Sequence, residues 1–265
     1  MMASSESEVE GRMSEVRECR HVSFDELTLH YQPQIAADGS RIVSVEALLR
    51  VLKPEPRFVT AADVLAHFEA PDDAEALDWW VFHTAATDSL LWPDLSVGIN
   101  VSAARFREPD FADRALALTL EIGADPKRLE IEIVESSFID DFDTALANIE
   151  RLRAHGFRVA LDDFGTGYSS LTYLLKLPID KLKIDKSFVD GIGTIQSTVI
   201  VQAVVALARA LGLKITAEGV ETEEQWRFLK IAGCHLMQGW YFAKALPADE
   251  VSRLQADRIV PRSAA

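Results

Sequence analysis

Glu46, Asn100, Glu132, Asp162, Lys183, Glu218 and Gln238 each fall in or at the end of a short apolar run, and their types point to one pocket of carboxylates around a lysine. In Val43-Ser44-Val45-Glu46 the valines share one face, and Ser44 and Glu46 share the other. Val97-Gly98-Ile99-Asn100, Ile131-Glu132-Ile133, Val159-Ala160-Leu161-Asp162, Leu182-Lys183-Ile184 and Ile215-Thr216-Ala217-Glu218 repeat the pattern. Successive side chains of a strand point to opposite faces, so the polar set shares one face. Several carboxylates cannot all ionise in one pocket without compensation. Hard divalent cations supply it, and carboxylates, an amide oxygen and water are the ligands that Mg²⁺ or Mn²⁺ prefer. A carboxylate bridging two ions makes a two-metal site, which stabilises in-line attack at phosphorus. Histidine is absent from the set, which argues against structural zinc. Lys183 could orient an attacking hydroxide or offset phosphate charge. Asp163 follows Asp162 directly, so it joins the site only if the strand ends there, as Phe164-Gly165-Thr166-Gly167 indicates.

Each residue has a plainer reading. Asn100 could cap a helix, Asp162-Asp163 could be turn chemistry, and Lys183 could sit in a structural ion pair. Their joint alternation favours a site. Trp79-Trp80 reads as helix packing, and His30, His67, His83, His155 and His235 share no spacing.

The elements that must position this set are short. Candidate strands are Glu26–Ile35, Ile42–Leu49, Ser96–Val101, Leu129–Val134, Arg158–Asp162, Lys181–Asp185, Lys214–Glu218 and Leu236–Phe242, with helices between most of them. The clearest helices are Phe142–Ala154, Thr198–Leu211 and Glu221–Ala232, each followed by a glycine at or near the C-cap. Alternating strands and helices imply parallel pairing. The first connection, Ala36-Ala37-Asp38-Gly39-Ser40, is too short for a parallel crossover, so strand 1 should run antiparallel to strand 2. The expectation is an α/β fold, a modified (β/α)8 TIM-like barrel, with an open doubly wound sheet as the rival. Polar residues at almost every strand end favour the barrel, whose C-terminal face carries active sites.

Composition bounds the partners. The 265 residues carry 27 Lys+Arg and 42 Asp+Glu, a net charge of −15. Such a surface repels polyanions, which argues against polymeric nucleic acid but not against a small phosphate ligand held through metal. Cys19 and Cys234 form no disulfide framework and fit a reducing compartment. No apolar run approaches a membrane span, and the N-terminus lacks a signal-peptide pattern, so direct membrane insertion is not expected. Residues 1–22 read as a disordered leader or linker, 23–255 as one domain and 256–265 as a tail.

The motifs resemble the EAL-domain cyclic di-guanylate phosphodiesterases of bacteria. The resemblance rests on Tyr31-Gln32-Pro33, Glu46-Ala47-Leu48-Leu49-Arg50, Asn100-Val101-Ser102, Glu132-Ile133-Val134-Glu135, Asp162-Asp163-Phe164-Gly165-Thr166-Gly167, Lys183-Ile184-Asp185, Ala217-Glu218-Gly219-Val220-Glu221 and Gln238-Gly239. It implies hydrolysis of cyclic di-guanylate to linear 5′-pGpG with two Mg²⁺ or Mn²⁺ ions, Ca²⁺ being expected to bind without supporting turnover. It implies that Glu46, Asn100, Glu132 and Asp162 hold one ion, and Asp162, Asp163 and Glu218 the other. Lys183 would assist the nucleophilic water. Gln32, Arg50 and Gln238 would meet the substrate or its phosphate. Glu135 would hold the loop containing Gly165, Thr166 and Gly167, and Asp185 and Glu221 would support the site from outside. A homodimer formed next to that loop is implied, as is a cytoplasmic setting, free or as part of a larger membrane-attached protein. The chain departs from the family pattern at Val51, where Trp is usual, in the acidic stretch Phe68–Asp73, at Trp240 for Tyr and at Ala245 for Pro. Two other readings remain: a module that binds the dinucleotide or docks a partner without turnover, and a metal-dependent barrel lyase or aldolase in which Lys183 forms a Schiff base.

Overall fold

The computed structural model describes residues 23–52, 65, 68, 70–165 and 171–256. The expected leader, most of the expected tail, and Thr166 and Gly167 lie outside the described residues. Eight strands close into a barrel in sequence order: β1 (Leu27–Ala36), β2 (Ile42–Val51), β3 (Ser96–Asn100), β4 (Leu129–Val134), β5 (Arg158–Phe164), β6 (Lys181–Ile184), β7 (Lys214–Ala217) and β8 (Leu236–Gln238). β1 is antiparallel to both β2 and β8, and every other neighbouring pair is parallel. The reversal begins at the short turn anticipated after β1. There Gly39 has φ 77°, its N–H donates to Ala36 O at 2.7 Å, and the Asp38 carboxylate accepts from the Ser40 N–H at 2.9 Å.

Helices α1 (Pro71–Asp88), α2 (Phe111–Ile122), α3 (Phe142–Ala154), α4 (Ile195–Ala210), α5 (Glu223–Ala232) and α6 (Ala248–Ala256) surround the strands. The expected apolar strand faces are buried. Val45, Val97, Ile99, Ile131, Ile133, Val159, Leu182, Ile184 and Ile215 are wholly inaccessible, each such side chain stabilising the fold by about 1.5–3 kcal/mol relative to exposure. Caps fix the helix ends. Asp141 accepts from Thr144 N at the start of α3, Thr222 and Gln225 form a capping box on α5, and Gly233 closes α5 in the left-handed conformation. Trp79 packs on Phe82 and Phe111, so the tryptophan pair belongs to helix packing.

Many boundaries shift by a residue or more from expectation, and three of the differences have an identifiable cause. Helix α4 starts at Ile195 rather than Thr198, because the Thr194 hydroxyl caps it by accepting from Ser197 N. Its first turn carries an exposed Ile195 followed by the polar Gln196, Ser197 and Thr198, so apolar periodicity could not reveal it. β8 stops at Gln238 rather than Phe242. At Gly239 a Cβ would lie 2.1 Å from the Val220 carbonyl oxygen, and the chain turns there instead of continuing in the sheet. β5 does not end at Asp162 but runs to Phe164 through an irregularity that shapes the site.

Candidate metal centre

Lys183 on β6 is wholly buried at the C-terminal end of the barrel, within reach of four carboxylates. Its Nζ lies 2.5 Å from Glu132 Oε2, 2.7 Å from Glu218 Oε1, 3.1 Å from Asp162 Oδ2 and 3.5 Å from Glu46 Oε2. Burial alone would lower the lysine pKa, but Glu132, Glu218, Glu46 and Asp162 together raise it well above the usual lysine range. Burial pushes Glu218 up to about 8 against the opposing pull of Lys183, and drives Glu132 well above the carboxylate range. Glu46 goes the other way. Burial would raise it, but Lys183 and hydrogen bonds from Asn100 and Gln238 outweigh that and keep it below its ordinary value. A lysine held protonated by its neighbours is no Schiff-base nucleophile, which requires a depressed pKa, so the lyase reading loses its support.

The surrounding residues act through identifiable contacts. Asn100 Nδ2 donates to Glu46 Oε1 at 2.8 Å, while Ser102 is the residue that caps the next helix. Asn100 therefore belongs to the pocket rather than to a cap. Gln238 Nε2 donates to Glu46 Oε2 at 2.6 Å and to Gln32 Oε1 at 3.2 Å. Gly98 makes room for Glu132, since a Cβ there would stand 2.1 Å from Glu132 Oε1. That accounts for a small residue two positions before Asn100.

Asp163 enters by a different route from the one expected. The β5–β6 register shifts between Leu161 and Phe164, and Asp163 has φ 53°, alone among the described non-glycine residues in being positive. This is a bulge, and aspartate tolerates the left-handed conformation better than most residues. Two adjacent aspartates thereby serve one site. Carboxylate oxygens of Glu46, Glu132 and Asp162 lie within 4.8 Å of one another, and so do those of Asp162, Asp163 and Glu218. Asp162 is common to both groups. The donor set suits hard divalent ions, and the buried Glu132 Oε1 has no hydrogen-bond donor among the described residues. The residues therefore fit the two implied cations.

The outer residues are less uniform. Glu135 Oε1 accepts from the Gly165 N–H at 3.5 Å, next to the bulge. The Asp185 carboxylate caps the short helix Lys186–Asp190, and Glu221 pairs with Lys186 at 2.6 Å. Beside the pocket, a cavity of about 280 Å³ is lined by Gln32, Glu46, Leu48, Glu218, Gln238 and Trp240, among others. Gln32 also donates to Ala243 O at 3.3 Å. Arg50 is half-buried farther along β2, does not line that cavity, and donates to Leu49 O at 2.7 Å.

Beneath the pocket lies a layer of which the sequence reading noticed only Ser44. Gln34 Nε2 donates to Gln238 Oε1 at 3.0 Å, Ser44 donates to Gln34 Oε1 at 2.7 Å, and Lys181 donates to Gln34 at 3.1 Å and to Glu130. All four of these residues precede or follow a pocket residue by two positions along a strand, so the same alternation carried the signal.

Comparison with known proteins follows this geometry. Residues 17–245 match the model of the EAL domain family. The bifunctional diguanylate cyclase/cyclic di-GMP phosphodiesterase MucR of Pseudomonas aeruginosa is 38% identical over 232 residues, covering 85% of this chain and 34% of the relative. The PaMucR phosphodiesterase solved as a c-di-GMP complex aligns with TM-score 0.81 and 37% identity, covering 86% of this chain and 94% of that one. Klebsiella pneumoniae BlrP1, solved as a manganese/cy-diGMP complex, aligns with TM-score 0.75 and 29% identity, covering 86% of this chain and 58% of that one. The chain spans only about a third of the length of the curated relatives it matches. With the family model covering most of its length and the barrel shared, the chain belongs to the EAL domain family.

Proposed function

We propose that this domain is a cyclic di-guanylate phosphodiesterase that opens one phosphodiester to give linear 5′-pGpG. The observation that carries the reading is the pair of carboxylate groups sharing Asp162 beside the buried Lys183. Glu46, Asn100, Glu132 and Asp162 would hold one Mg²⁺ or Mn²⁺ ion, and Asp162, Asp163 and Glu218 the second. Bound there, such ions would polarise the phosphate and lower the pKa of a coordinated water.

The chain's own groups have separate tasks. Gln238 and Asn100 hold both oxygens of Glu46 in place. Lys183 carries a positive charge between the carboxylates, where it would offset the charge of an attacking hydroxide or of the phosphate. Gln32, Gln238 and Arg50 are the proposed contacts to substrate, with Glu135 fixing the start of the loop after β5. Relatives described as c-di-GMP phosphodiesterases, and neighbours solved with c-di-GMP and manganese or calcium, support the reading. A homodimer and a cytoplasmic setting belong to the same proposal. Among the described residues no helix is long and apolar enough to cross a membrane.

The test is chromatography of products after incubation with cyclic di-guanylate. Mg²⁺ or Mn²⁺ should yield pGpG and Ca²⁺ should not, and Glu46→Ala should abolish turnover while leaving the circular dichroism spectrum unchanged. Tight binding of an unaltered dinucleotide in the presence of Mg²⁺ or Mn²⁺ would replace the enzyme with a receptor.

A further inference from the structure

The opposite mouth of the barrel holds a larger cavity, of about 820 Å³. It lies at the N-terminal ends of the parallel strands, and Ser96, Arg158, Lys181, Lys214 and Leu236, the first residues of β3, β5, β6, β7 and β8, all line it. A rim of this acidic chain is expected to carry a net negative charge. The charges found there are otherwise. Two carboxylates line the cavity, and each is neutralised: Glu130 by Lys181, and Asp180 by Arg153 at 3.1 Å. Arg41, Arg158 and Lys214 also line it, and none makes an ion pair among the described residues. Three uncompensated cations therefore surround one concavity on a chain of net charge −15.

The depth of the site is polar as well. The Lys181 side chain is only 6% exposed, and its ammonium has three donors, of which Glu130 and Gln34 take two. His235 Nδ1 accepts from the Ile215 N–H at 3.0 Å, and burial, followed by the charges of Lys214 and Arg209, lowers its pKa. Lys214 and Arg209 thus place positive charge beside this imidazole. Ile179, Leu211 and Leu213 supply an apolar side.

We propose that this N-terminal mouth binds a small phosphate-bearing anion, separately from the carboxylate pocket at the other end. Guanidinium groups suit phosphate oxygens through paired, charge-assisted hydrogen bonds. The volume is that of a small-molecule pocket and exceeds one inorganic phosphate, so an organic body or a second phosphate has room. The proposal does not depend on the phosphodiesterase reading, because no residue of that pocket is used.

The test is calorimetric titration of protein freed of divalent ions on a chelating resin, with no soluble chelator, using pyrophosphate, ATP and adenosine as probes. Pyrophosphate or ATP should bind once per chain, more weakly as NaCl rises, and adenosine should not bind. Tighter binding of ATP identifies a nucleotide ligand, and equal affinity identifies a bare polyphosphate. Arg158→Glu and Lys214→Glu should each weaken binding at least tenfold, and Glu46→Gln should leave it intact. Lys214 is exposed and unpaired, so its variant should fold even if loss of the Arg158–Ser96 contact does not allow the other to. Absence of binding by both phosphate probes, retention of affinity in Lys214→Glu, or loss in Glu46→Gln would overturn the proposal.

Discussion

Glu218 and Lys183 show how burial and charge compete within one pocket. With its pKa at about 8, Glu218 holds a proton below that pH which a cation must displace. Mn²⁺ affinity should therefore climb as pH rises towards 8 and level off above it, because the ligating form of a carboxyl with a raised pKa is the deprotonated one. Calorimetry in two buffers of different ionisation enthalpy should reveal proton release on the rising limb. Affinity unchanged across about pH 6.5 to 8.5 would remove Glu218 from the ligand set. Cys234 is simpler. It is 3% exposed, and burial pushes its thiol up to about 12, so it should stay unalkylated by iodoacetamide at neutral pH until the protein unfolds. Peptide-resolved mass spectrometry separates it from Cys19. Most pocket residues were legible from alternation alone. The layer of Gln34, Glu130 and Lys181 obeyed the same alternation but drew no notice, since it lies deeper than the strand ends where chemistry was sought.

Among the elements, β3 and β5 carry the fine positioning. A Gly98→Ala methyl would occupy the place of Glu132 Oε1, so this variant should fold yet bind Mn²⁺ about tenfold or more weakly, the usual range for disturbed ligand support. Equal affinity in equilibrium titration would mean that Glu132 has room to move or does not ligate. At the β5 bulge, backbone and charge can be separated. Asp163→Asn removes the charge and suits the left-handed conformation, whereas Asp163→Val adds backbone strain. Urea denaturation should find the valine variant about 1–2 kcal/mol less stable than the asparagine variant, and both should lose metal affinity. The bulge was not legible in the sequence. Asp162-Asp163 before a glycine reads equally as a strand end. Its φ of 53° arises where β5 must pair with β6 on both sides of a register shift.

For the whole molecule, the pocket locates part of the net charge. Fully ionised, as cation binding requires, Glu46, Glu132, Asp162, Asp163 and Glu218 bring −5 and Lys183 returns +1, so −5 + 1 leaves −4, which two divalent ions would cancel. Ligands that bind only the native state stabilise it by mass action, by about 2.7 kcal/mol at a hundredfold excess over Kd. For a domain this large that corresponds to a Tm rise of about 5–11 °C. Differential scanning calorimetry should show such a rise with Mn²⁺, and Asp162→Asn, which alters both carboxylate groups at once, should abolish it. A full rise in that variant would place the ions elsewhere.

The sequence by itself determined the polar face of the strands and the reversed first strand, and it favoured a barrel that the structure then closed. Period-two alternation dictates which side chains share a face, and a connection as short as Ala36–Ser40 admits no parallel crossover. Tertiary structure alone decided how closely these groups approach. The space that Gly98 leaves for Glu132, the bulge that turns Asp163 inward, and the turn of the chain at Gly239 beneath Val220 all depend on a neighbouring strand or loop. So does the gathering of Arg41, Arg158 and Lys214 at the far mouth. They are scattered along the chain, and only closure of the barrel makes them neighbours.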